Sequence, residues 1–239
     1  MPFEETKKTS VYYKKQASYH DKRTTTNLSH LIEPIIRHRI LDSIFYKQYL
    51  YLTNEATILT VITEQVKYVG GVDSIGRPSP FLQSLFRMLE LAPSKEIIDV
   101  YLHQLKFNEF KYLVVLTLLY IRLTFTSEEI YTIFDKFSQD FRKLKFKLKN
   151  SHFDSRRLPI FYKIIYMDEF IDDLLIKDRV VDLTLPRLIP RLLLVERGLV
   201  APRQYFLDKE TRSETVIGQR VSPHQEDDNN SDIYESDSD

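Results

Sequence analysis

The sequence predicts an all-α protein, a single multi-helix domain, on three observations. Only five of 239 residues are glycine, against a usual share of roughly 7%, and turn-rich sandwiches and barrels need many more. Apolar residues recur at intervals of three and four through most of the chain, the spacing that places them on one helix face. Serines directly before proline or charged residues supply helix starts, since a serine oxygen accepts from the first turn and proline at the first position loses no needed donor.

Residues 1–29 are polar and rich in Lys, Thr and Ser, a composition that predicts a flexible extension. The helical pattern begins at His30, where Ile32, Ile35, Ile36, Ile40, Ile44 and Phe45 would share one face. Thr53 or Asn54 can cap a second helix whose stripe is Ile58, Ile62, Val66 and Val69. The stretch "YVGGVDSIGRPSPF" (Tyr68–Phe81) then gathers three of the five glycines. A glycine past a last helical turn takes the left-handed conformation at little cost, so Gly70 or Gly71 is expected to stop that helix. Ser79 and Pro80 start the next, lined by Phe81, Leu82, Leu85, Met88 and Leu89. Ser94 repeats the device. Glu109–Phe125 is apolar nearly all round and predicts the central buried helix. Ser127 is expected to open a long amphipathic helix reaching about Lys149, with Ile130, Phe134, Phe137, Phe141 and Leu144 inward. Asn150–Pro159 reads as a loop, Ile160–Tyr166 as strand or helix, and Met167–Asp178 and Pro186–Arg197 as helices. The domain is thus expected over residues 30–197, followed by an extension over 198–220 and an acidic tail over 221–239.

Charge supports that division. Net charge is zero, yet Val221–Asp239 holds seven acids and no Lys or Arg. Without those seven negative charges residues 1–220 carry +7, which predicts a solvated, disordered tail beside a mildly basic globule. Ser236 and Ser238 sit among the acids and would deepen the charge if phosphorylated. The longest apolar run, "YLVVLTLLYI" (Tyr112–Ile121), is bounded by Lys111 and Arg122, whereas a membrane span needs about 20 apolar residues. It predicts a buried helix and no membrane partner.

Catalytic chemistry finds little support. There is no Cys, which excludes thiolate nucleophiles, zinc–thiolate sites and disulfides. A phosphate cradle requires Lys and Ser or Thr after its last glycine, but Arg77 and Pro78 follow Gly76. The glycine-rich stretch is better explained as a joint between two helices. The six histidines form no metal-ligand spacing. In "MDEFIDDLL" Asp168 with Asp172, and Glu169 with Asp173, stand four apart; acids at a helix start complement its dipole. That cluster offers an ionic complement to Arg122, Arg179 and Arg187, any of which could tie the acidic helix (Asp168, Glu169, Asp172) to its neighbours. The basic run "RKLKFKLKN" with Arg156 and Arg157 supplies candidate RNA contacts at Arg142, Lys143, Lys145, Lys147, Lys149, Arg156 and Arg157. The alternative for that run is a solvated face whose lysine stems cover the core.

Three blocks in order resemble the pre-mRNA-splicing factor 38 family. They are "YVGGVDSIGRPSPFLQSLFRMLELAPSKEII", "NEFKYLVVLTLLYIRLT" and "MDEFIDDLLIKDRVVDLTLPRL", with "IIRHRI" at residues 35–40 as a weaker fourth. The resemblance covers residues 30–197. It implies a helical, non-enzymatic, nuclear component of the spliceosome, without cofactor or small-molecule substrate. It further implies association with the tri-snRNP and a need for the protein when the assembled particle is activated. Implied partners are a zinc-finger tri-snRNP component and a microfibrillar-associated protein 1 homologue. Many animal members carry a long Arg-Ser-rich C-terminal region; this chain ends in "EDDNNSDIYESDSD", so contacts made by such a region are not expected of it. The stretch "FTSEEIYTIFDKFSQD" follows the family less closely. A docking groove for partner segments is expected beside the joint, from Val72 to Met88, with Val72, Pro80, Phe81, Leu85 and Met88 as its lining. The rival reading of function is direct RNA binding through Arg142–Arg157.

Overall fold

A computed structural model describes residues 27–104, 109–153 and 156–203. The acidic tail, with Ser236 and Ser238, and most of the N-terminal extension lie outside the described residues. Among the described residues eight α-helices carry the domain: α1 (Pro34–Asp42), α2 (Thr57–Gln65), α3 (Pro80–Leu91), α4 (Lys95–His103), α5 (Lys111–Thr124), α6 (Ser127–Phe137), α7 (Met167–Ile176) and α8 (Arg191–Glu196). Two short antiparallel hairpins interrupt them, β1 (Lys143–Phe153) with β2 (Pro159–Tyr166) and β3 (Arg179–Val180) with β4 (Leu183–Thr184). The fold is therefore mainly helical and not strictly all-α.

Helix α5 is the axis of the core. Every residue from Leu113 to Leu123 is buried, including Thr117 and Arg122, and α2, α3, α4, α6 and α7 all pack on it. Thr117 can be buried because its hydroxyl donates to the Leu113 carbonyl at 2.8 Å. Among the described residues no helix is long and apolar enough to cross a membrane.

The hairpin β1–β2 stands where the sequence reading extends α6 to Lys149. Helix α6 stops at Phe137, and Phe141, expected inward, is 66% exposed. The reason is written in "KLKFKLK". Charged and apolar residues alternate with a period of two, which fits a strand with one face buried and not a helix. Leu144 and Ile165, paired across the hairpin, face the core. Strand β1 also runs on to Phe153, into the stretch read as loop. Helix α8 begins only at Arg191 because Pro186 and Pro190 disfavour helical backbone in the residues before them.

The joint between α2 and α3 works differently from the expectation. Helix α2 has already ended at Gln65, and Gly70 and Gly71 do not have positive φ. They are glycine because other parts of the chain come close: a Cβ on Gly70 would lie 3.1 Å from Lys147 Cβ, and at Gly71 the neighbours include backbone. A Cβ on Gly71 would lie 2.2 Å from Asp182 Oδ2 and 2.7 Å from the Val181 carbonyl oxygen. Val181 and Asp182, at φ 52° and 59°, form the two-residue turn of β3–β4, of the type that requires positive φ at both positions. Val72 N–H donates to Asp182 Oδ2 at 2.9 Å, holding the turn to the joint. On the other side Val69 bridges β1 in parallel: its N–H donates to the Lys145 carbonyl and its carbonyl accepts from Lys147 N–H, both at 2.8 Å. Ser79 closes the arrangement. Its hydroxyl donates to the Gly70 carbonyl at 2.5 Å and accepts from Leu82 N–H at 3.2 Å as the α3 cap, while its own N–H donates to the Gly71 carbonyl at 2.9 Å.

Replacing Gly71 by Ala should overpack this contact and cost about 1–3 kcal/mol. Ser79→Ala should cost about 1–2 kcal/mol through the lost cap. Urea unfolding followed by circular dichroism checks both, and the double variant should be non-additive because the two residues share a contact.

Candidate docking surface

Beside the joint lies an open groove of ≈ 670 Å³. Its walls come from α1 and the segment just after it, with Arg39, Ile44 and Phe45, and from the loop before α3 and the start of that helix, with Ile75, Pro78 and Pro80. The loop is braced from within: Asp73 Oδ1 accepts from Arg77 N–H at 2.7 Å and from Ile75 N–H at 3.1 Å. Gly76, at φ 83°, turns its carbonyl to Arg39 Nη1, which donates to it at 2.9 Å. Gln83 Nε2 donates to the Pro78 carbonyl at 2.9 Å. Ile44 and Ile75 are 72% and 71% exposed on this rim. A second recess, of ≈ 520 Å³, lies between the start of α2 and the α3–α4 region. Tyr101 lines it and donates to the Glu55 carbonyl at 2.5 Å; burial first, then the nearby Glu55, pushes the phenol up to about 12, so it remains a neutral donor.

The groove stands near the expected place but with a different lining. Phe81, Leu85 and Met88 are fully buried in the core, because the inward stripe of α3 packs on α5. They cannot line a partner site. Val72 is half-buried and Pro80, also half-buried, does reach the groove. Ile44 and Ile75 are the exposed anchors, and the sequence reading assigned Ile44 to an inward face. Ile32, Ile36 and Ile40 are buried there, while Ile35 and Ile44 point to solvent. An apolar stripe wider than the neighbouring core needs is the signal that could have revealed them.

The arginines of the family-like blocks make varied contacts. Arg122, 3% exposed, donates from Nε to the Leu174 carbonyl at 2.7 Å. That carbonyl is in the last turn of α7, where backbone acceptors lack helical partners and a cation suits the dipole. Arg122 thus ties the central helix to the acidic helix through its backbone. Arg179 pairs with Glu33 at 3.5 Å, and Thr184 donates to the same carboxylate at 2.8 Å, so β3–β4 is fastened to the start of α1. Arg187 is exposed on the Leu-Pro-Arg turn. Within α7, Glu169 accepts from Tyr166 N–H at 3.0 Å as part of the helix start, and Asp168 and Asp172 are half-buried.

The basic run is a strand and its side chains part company. Lys143, Lys145 and Lys147 stand opposite Tyr166, Ile164 and Tyr162 and share their face. Arg142 folds back on Asp140 at 2.5 Å, and Lys149 approaches Asp182 at 3.8 Å. Arg156 and Arg157 are exposed near the hairpin turn. Among the described residues no group of three or more His, Asp or Glu is placed to hold a metal ion.

Residues 21–198 match the PRP38 family. The chain belongs to that family. It is 36% identical over 187 residues to pre-mRNA-splicing factor 38A of Xenopus tropicalis, covering 77% of this chain and 55% of that protein. The chain thus spans little more than half the length of that relative. It is also 34% identical over 172 residues to pre-mRNA-splicing factor 38 of Schizosaccharomyces pombe, covering 72% of this chain and 75% of that protein. Among solved structures it is similar to a chain of the Snu23-Prp38-MFAP1(217-258) complex of Chaetomium thermophilum. There the TM-score is 0.70 at 37% identity, over 82% of this chain and 97% of that one.

Arg122→Leu keeps much of the side-chain volume but leaves the Leu174 carbonyl without this donor, and should cost about 1–3 kcal/mol. Differential scanning calorimetry against the unsubstituted protein measures it.

Proposed function

We propose that the chain is a non-enzymatic component of the nuclear spliceosome: a docking domain of the tri-snRNP and precatalytic particle, required for activation in pre-mRNA splicing. The observation that carries this reading is the likeness to a chain of the Snu23-Prp38-MFAP1 complex over 97% of that chain. On this reading its partners are a Snu23-like zinc-finger protein and a homologue of MFAP1. The surface agrees with such work. The groove offers the exposed apolar anchors Ile44 and Ile75 inside a polar rim that includes Arg39, Asp42 and Arg77. A few buried apolar anchors within a polar border are what helix-in-groove and extended-peptide docking require. The braced loop keeps the groove in one shape, which lowers the ordering cost of binding. One partner segment is therefore assigned to the groove.

The test combines Ile44→Asp with Ile75→Asp in the full chain. The double variant should keep its helical content and melting temperature, since both side chains are exposed. It should capture at least tenfold less of one of the two partners from ribonuclease-treated nuclear extract. In extract depleted of the native protein, the unsubstituted chain should restore splicing, while the double variant should leave complexes assembled but inactive. Full restoration by a variant that binds neither partner contradicts the scaffold reading. Retention of both partners by the double variant moves the docking site elsewhere.

A further inference from the structure

We propose that the β1–β2 hairpin presents a second site, a binding face for single-stranded RNA, distinct from the groove beside the joint. Three strand-like segments lie side by side there: Tyr68–Gly70, β1 and β2. Side chains alternate between faces along each strand. Leu144 and Ile165, with Val69, turn to the core. The opposite face carries Lys143, Lys145 and Lys147 along β1, Tyr162, Ile164 and Tyr166 along β2, and Tyr68 beside them. Successive lysines on one face stand roughly 6.7 Å apart, a repeat that an extended phosphate backbone can follow.

The face is built as a surface and held rigid. Tyr68 and Tyr162 meet edge to face with centroids 5.5 Å apart, and Lys145 Nζ lies 3.9 Å from the Tyr162 centroid. Lys147 Nζ lies 5.7 Å from the Tyr68 centroid. Lys145 and Lys147 are thereby positioned over rings, and among the described residues neither forms an ion pair with a carboxylate. Ile164 and Tyr166 remain 68% and 39% exposed directly opposite Lys145 and Lys143. They give flat apolar area next to cations. The acids at the borders are already engaged: Glu169 accepts from Tyr166 N–H and Asp182 from Val72 N–H.

Lysines alone would suit any polyanion. The interleaved aromatic and apolar area selects among them, because unstacked bases gain from lying on such surfaces and paired bases cannot reach them. An acidic peptide would use the charges and leave the rings idle. Arg142 and Lys149, turned toward Asp140 and Asp182, are left out of the site, so the contact is narrower than the whole basic run.

Fluorescence anisotropy of a labelled twelve-residue oligouridylate with the full chain tests this. Binding should be saturable, and log affinity should fall with log salt with a slope of about −2 for three phosphates at roughly 0.7 each. The variant Lys143→Gln, Lys145→Gln, Lys147→Gln should weaken binding at least tenfold and flatten the slope. Tyr166→Ser should weaken binding several-fold and leave the slope unchanged. Circular dichroism confirms folding; should the triple variant unfold, Lys145→Gln alone should still lose affinity several-fold. Absence of saturable binding at 100 mM salt (roughly physiological ionic strength) overturns the proposal. So does equal binding by a duplex of the same length, equal competition by a glutamate decamer, or indifference of the affinity to the lysine substitutions.

Discussion

The structure depends on one close approach, the backbone of Gly70 and Gly71 pressed between two hairpins and clamped by Ser79. Val69 hydrogen-bonds to β1, Val72 to the turn of β3–β4, and Ser79 to the carbonyls of both glycines while capping α3. Three pieces of chain distant in sequence, together with the nearby start of α3, meet over a few residues. Any side chain on Gly71 would meet the Val181 carbonyl and the Asp182 carboxylate. The left-handed Val181 shows how firmly the site is held, because a β-branched residue at φ 52° needs surrounding packing to keep it there.

The two candidate surfaces follow from this clamp. The loop that leaves Val72 and returns at Pro78 forms one wall of the groove beside α1, so its shape is inherited from the clamp and from the Asp73 and Arg39 hydrogen bonds. On the other side Val69 fixes the edge of β1 and places Tyr68 beside Tyr162. A docking groove and a basic–aromatic face are thus anchored to one rigid element. Neither depends on a buried reactive group. The buried polar contacts, Arg122 with the α7 carbonyl among them, serve to hold helices together.

Much of the fold was legible because helices announce themselves locally. Ser79 and Pro80 begin α3 where the sequence places them, and the unbroken apolar run gives α5 as the buried axis. The β1–β2 hairpin was missed because spacings of four and three through Phe137, Phe141 and Leu144 masked the two-residue alternation beginning at Lys143. The role of Gly71 was not readable locally, since the backbone it accommodates belongs to residues more than a hundred positions away. The site suffered from the same limit. Phe81, Leu85 and Met88 belong to a continuous apolar stripe of α3, and such a stripe is core first. The exposed Ile44 and Ile75 are separated by 31 positions and converge only through the fold.

Amide hydrogen exchange at the joint tests the central claim most directly. If the clamp is part of the global fold, the N–H groups of Val69, Val72, Ser79 and Lys147 should exchange only by whole-domain opening, with free energies equal to those of Val115 and Leu119 in α5. Exchange of the joint amides through a local opening, at free energies several kcal/mol below the α5 value (on the scale of local against global opening), would contradict the account.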